Sequence, residues 1–186
     1  MNRNSAYLYS AIVACEAAFW VVLFAALAVR YVWRRIELSR MLMLALPATD
    51  LLLLAFTAFD LRSGTTADFA HGLATAYVGF TVAFGGILVA WADQRFAHRF
   101  AGGAAPLPAP ERGWPAVRYE FGLWLRSVVA WIIALALVVA LIALVDDPAR
   151  TEALGQWFRF AGTAIIFWFV FGPAWRLVFF RRETLR

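Results

Sequence analysis

Two carboxylates, Glu16 and Asp50, stand in the middle of long apolar runs, where ordinary solvation is out of reach. An ionised Asp at the centre of a bilayer costs about 2.5–3.5 kcal/mol on insertion scales. Such a group must be neutral, paired or set in a wet cavity. Helical spacing puts Tyr9, Val13, Glu16, Trp20 and Leu23 on one face of the first run. In the second run it groups Asp50 with Leu54 and Thr57, after the bend expected at Pro47. The chemistry this suggests is proton sharing, or binding of a cation or cationic substrate, with Glu16, Asp50, Thr57 and Tyr9 as candidates. The plainer reading is that both carboxyls are protonated or bonded to neighbouring hydroxyls and carbonyls, since no basic residue shares their depth.

A second polar group gathers Asp60, His71 and Arg159 near the ends of apolar runs, with Asp68 beside them. It could form a pH-sensitive outer cluster or a vestibule ion pair. Against that stand a solvated turn histidine and an arginine that reaches to the headgroups. Metal chemistry has no support: His71 and His98 fall at opposite ends of one run, and Cys15 is the single cysteine. No P-loop, dinucleotide fingerprint, nucleophile elbow or HExxH is present. All seventeen basic residues are Arg, so a lysine Schiff base to a chromophore is excluded. The chain reads as a non-enzyme with no cofactor. An acid/base pair of His71 with Asp60 or Asp68, acting on lipid, is the remote exception.

These side chains must be positioned by membrane-crossing helices. Hydrophobic residues make up 63% of the 186 and charged residues 16%, which no soluble fold of this size could accommodate. About 20 apolar residues cross a bilayer, and five stretches qualify: 7–29, 41–59, 69–91, 123–145 and 157–179. The fold class expected is therefore all-α, a single transmembrane domain over 1–186 built as a bundle of five helices. A Pro/Gly-rich loop, about 93–121, is the longest connection. The first stretch is too long for a signal-peptide core and reads as an uncleaved anchor.

Arginine placement orients the bundle. With the N-terminus outside and the C-terminus cytoplasmic, thirteen of the seventeen arginines face the cytoplasm; Arg3, Arg62, Arg150 and Arg159 stay outside. The arginines flank apolar runs and form no separate basic face, so nucleic acid is not an expected partner. Anionic lipid headgroups are.

The third stretch carries a stripe of small residues: Gly72, Ala76, Gly79, Ala83, Gly86 and Ala90. Steps alternating between four and three match a left-handed helix-helix seam, and in lipid small residues let backbones approach closely. This places the third helix centrally. Ala11, Ala14, Ala18 and Ala25 of the first stretch offer a partial matching face.

The segment HGLATAYVGFTVAFGGILVAWADQRFAHRF (71–100), with GWPAVRYE (113–120), resembles a family of uncharacterised small bacterial multi-pass membrane proteins over spans two to four. The resemblance implies a bacterial inner-membrane protein and transfers no functional residue. Within it, Asp93, Arg95 and His98 are the polar positions the family label would make interesting. Two functions follow as expectations. The first is a membrane-embedded binding, accessory or regulatory subunit, assembling with itself or another membrane protein. The alternative is a small proton-coupled carrier using Glu16 and Asp50; five spans and no internal repeat argue against an inverted repeat within the chain.

Overall fold

A computed structural model describes residues 3–183, with the side chains of residues 3–9, Ala11, Ile12, Cys15, Glu16 and residues 180–183 outside the description. Five long helices follow one another: α1 (Arg3–Tyr31), α2 (Ile36–Arg62), α3 (Phe69–Ala101), α4 (Gly113–Val145) and α5 (Pro148–Phe169). A π-helical turn, Val170–Ala174, carries α5 into α6 (Trp175–Glu183). Four helices, counting Pro148–Phe179 as one, are long and apolar enough to cross a membrane, and Ala17–Tyr31 of α1 is a shorter apolar helix.

The large apolar side chains on the outside identify the solvent. Leu44, Leu51, Leu52, Phe59, Val82, Ile132 and Ile166 are all more than half exposed. In water such a continuous apolar surface would drive association; in lipid it costs nothing. The protein is an all-α integral membrane protein.

The helices outrun the bilayer-length stretches that the sequence marks. α3 continues to Ala101 and α4 starts at Gly113, so the irregular connection is 102–112 rather than the expected 93–121. Polar residues at 93–100 are no barrier to a helix once it leaves the lipid. Gly102 ends α3 in the left-handed conformation (φ 66°), which only glycine adopts without strain. α2 runs unbroken through Pro47. At Pro173 the missing N–H is absorbed by widening the helix into the π turn.

Helix α3 touches each of the other four, as its small-residue stripe predicts. The stripe serves two purposes along its length. A Cβ on Gly72 would overlap the Trp157 ring of α5, and one on Gly79 would overlap the Ala130 carbonyl oxygen of α4 and crowd Ala134. Gly72, Ala76 and Gly79 are buried, whereas Gly86 and Ala90 are exposed, and a Cβ on Gly86 would meet nothing. Gly72 and Gly79 meet no alanine of α1; of that face Ala14 is exposed, the Ala11 side chain lies outside the described residues, and α1 packs through Phe19, Leu23 and Leu27 against Leu46 and Ala92.

Candidate functional site

Asp50 is the most buried carboxylate described, at 3% relative exposure. It lies on α2 one turn before Leu53 and Leu54, with Leu46 buried on the preceding turn. The helix that α3 presents to this face carries Thr81, whose hydroxyl stands against the Asp50 carboxyl. Its Oδ1 atom has no hydrogen-bond partner among the described residues. A carboxylate oxygen left unpaired in an apolar interior is costly, which makes Asp50 the candidate position for a bound proton or donor.

Thr81 also lines a cavity of about 210 Å³ between α1 and α3. Aromatic rings dominate its wall: Phe19 and Trp20 from α1, and Tyr77, Phe80 and Phe84 from α3. Ring faces are electronegative and attract cations, more strongly once water is excluded. Phe80 and Phe84 are stacked, with centroids 5.7 Å apart, and Phe80 meets Trp131 of α4 edge-on at 5.3 Å. The wall is therefore braced from the core side.

Of the residues that the sequence nominates with Asp50, Thr57 does not join it. Its hydroxyl donates to the Leu53 carbonyl of its own helix at 2.9 Å, and the residue is fully buried. Glu16 and Tyr9 lie on α1, and their side chains are outside the described residues. Thr81 itself is the residue that sequence reading passes over. A threonine in a membrane helix is common, and nothing local says which neighbour it will face.

The outer polar group forms with a different arginine. His71 is 1% exposed, not a solvated turn residue. Its Nε2 lies 3.1 Å from Asp60 Oδ2 and its Nδ1 2.8 Å from Asp68 Oδ1. The Asp68 amide also reaches Nδ1 at 3.1 Å, and Asp68 Oδ1 accepts from the Ala70 amide at 2.9 Å. This is a capping box at the start of α3, with histidine in the role usually taken by Glu or Gln. Both ring nitrogens are engaged, so His71 offers none to a substrate. Thr65 donates to Asp60 Oδ1 at 3.0 Å.

Arg150, at the start of α5, closes the group by donating to the carbonyls of Leu61 and Thr65. The Ala67 amide donates to the Arg150 carbonyl at 2.8 Å, which ties the α2–α3 turn to α5. Arg159 is two and a half turns further along α5, exposed and in no ion pair among the described residues. It lines a separate groove with Phe69, Trp157 and Phe160. Arg150 replaces it because the turn docks on the first turn of α5, where Asp147 caps the helix and fixes its start.

At the other end of the bundle, Tyr31 donates to Asp93 Oδ1 at 2.8 Å and Arg30 approaches the same oxygen at 3.4 Å, fastening α1 to α3. Arg95 lies over the Trp91 ring at 3.9 Å, and His98 Nδ1 donates to the Gly103 carbonyl at 2.9 Å. These polar residues hold the end of α3 rather than being merely solvated. Among the described residues no cluster of three or more His, Cys, Asp or Glu could hold a metal.

A comparison with curated proteins decides the family. The chain is 39% identical over 143 residues to the uncharacterised membrane protein YmcC of Bacillus subtilis, covering 77% of each chain. It belongs to the YmcC family. No family model matches the chain, and no solved structure matches it. The YmcC relationship agrees with the resemblance read from the sequence, and it is consistent with the five-helix membrane fold. The YmcC name brings no activity, so function has to be argued from Asp50 and its surroundings.

Proposed function

We propose that the protein is a membrane-embedded binding protein for a small cation, held by Asp50 and Thr81 beside the aromatic cavity. It would reside in the bacterial inner membrane with its N-terminus outside, as the thirteen-to-four distribution of arginines supports. The observation that carries this reading is a buried carboxylate whose Oδ1 has no partner among the described residues, next to a cavity walled by five aromatic residues. A bound ammonium or alkylammonium would meet the carboxyl through Thr81 and the ring faces of Trp20, Phe80 and Phe84. In this reading it serves as the binding subunit of a membrane assembly, formed with itself or with another membrane protein.

A second reading is a proton-coupled carrier using the intramembrane carboxyls Asp50 and Glu16, the latter nominated by the sequence alone. One set of measurements treats both. In lipid nanodiscs, tetramethylammonium is expected to raise the melting temperature of the parent protein in a concentration-dependent way. Asp50→Asn should abolish the shift, and Thr81→Val should weaken it by roughly tenfold in apparent affinity. An equal shift in Asp50→Asn would remove the binding reading. In proteoliposomes under a pH gradient, flux that is unchanged in Glu16→Gln and Asp50→Asn would remove the carrier.

A further inference from the structure

We infer that the arginine-rich end of the α3–α4 pair holds an anionic phospholipid in a defined groove. The small-residue stripe closes tightly on α4 at Gly79, but the two helices part beyond it. The space opened there is about 710 Å³, larger than the Asp50 cavity. Ala83, Gly86 and Ala90 form one wall, Tyr119 and Arg126 of α4 the other, and Pro106–Pro110 of the connecting loop the end.

Three features point to one occupant. The first is charge. Arg95 and Arg126 both line the groove, and neither is in an ion pair among the described residues. Arg30, Arg40 and Arg176 at this end are paired with Asp93, Glu37 and Glu120, and Arg34, Arg35, Arg99, Arg112 and Arg118 do not line the groove. Two guanidinium groups lining one groove that holds no carboxylate suit a phosphodiester, whose oxygens accept from planar N–H donors.

The second is shape. From Ala83 to Arg95 is twelve residues, about 18 Å along the helix axis, comparable to a good part of an acyl chain. The small residues along that path leave a trough beside the backbone instead of the bulky apolar side chains found elsewhere on the outer surface. The third is depth. The trough starts at Val82 and Ala83, inside the apolar part of α3, and runs to Arg95, which lies over the Trp91 ring at 3.9 Å, while Arg126 lines its α4 side. A phosphate at Arg95 and Arg126 therefore leaves one acyl chain lying on Ala83, Gly86 and Ala90. A free phosphate uses only the charged end.

Native mass spectrometry of the detergent-purified protein, titrated with phosphatidylglycerol or phosphatidylcholine, tests this. Phosphatidylglycerol is expected to be retained preferentially. The paired substitution Arg95→Gln with Arg126→Gln should weaken its retention roughly tenfold or more, the range for hydrogen bonds to charged groups. Gly86→Leu, which fills the trough and leaves both charges, should weaken it as well, while Arg159→Gln on α5 should leave it unchanged. Glycerol 3-phosphate should fail to displace the lipid. Equal retention of the two lipids, indifference to the arginine pair, full retention in Gly86→Leu, or displacement by glycerol 3-phosphate would each overturn the assignment.

Discussion

Replacing Gly79 with Leu is expected to unfold or loosen the α3–α4 pair, at a cost of about 3 kcal/mol or more. The added Cβ alone would overlap the Ala130 carbonyl oxygen, and backbone cannot swing aside as a flexible side chain can. The helices would have to separate along the contact that also buries Trp131, Ala134 and Val138. Gly86→Ala, two turns on in the same stripe, should instead be neutral or stabilising by up to about 1 kcal/mol, because alanine is the better helix former and its Cβ meets nothing. Thermal unfolding of the two variants in one detergent reads the contrast. Equal effects of the two substitutions would show that the stripe is not divided into a tight and an open half.

The second large effect is expected at the outer polar group. His71→Leu should destabilise the protein by about 2–3 kcal/mol, since it leaves Asp60 and Asp68 facing an apolar side chain. The cost falls below that of breaking a fully buried pair because those carboxylates keep 18% and 31% of their side-chain surface exposed. Arg150→Met should cost a comparable amount, about 1.5–3 kcal/mol, through loss of donors to the Leu61 and Thr65 carbonyls. Arg159→Gln should change stability by less than about 0.5 kcal/mol. If Arg150 and Arg159 prove interchangeable in urea unfolding, the clasp between the α2–α3 turn and α5 does not exist.

The contrast between Arg150 and Arg159 marks where the sequence stops being legible. Lipid solvent imposes length and apolarity on each helix, so the five helices and their order can be read directly from composition. The stripe on α3 is equally readable, because close approach demands small residues at a fixed period. Which helix fills it is not. Ala130 and Ala134 of α4 and Trp157 of α5 do so, and no α1 residue meets Gly72 or Gly79. That outcome depends on the rotation of each helix about its axis, which shape complementarity decides across distant residues.

The same limit governs the candidate site. Asp50 can be picked out because a carboxylate at that depth is expensive wherever it points. Thr81 cannot, since a hydroxyl that satisfies its own helix, as Thr57 does at Leu53, looks identical in sequence to one that serves a neighbour. His71 illustrates a third case. Its capping role was open to reading from Asp68 three residues earlier, but its burial follows from the docking of the turn against Arg150.

Dicyclohexylcarbodiimide, an apolar reagent that attacks protonated carboxyls from the lipid phase, offers the most direct test of the Asp50 site. Labelling of the nanodisc-embedded protein, followed by peptide mapping, should place an adduct on Asp50, and tetramethylammonium should slow its formation. An Asp50 that stays unmodified, or one modified at the same rate with and without the cation, would contradict a cation site at this carboxyl.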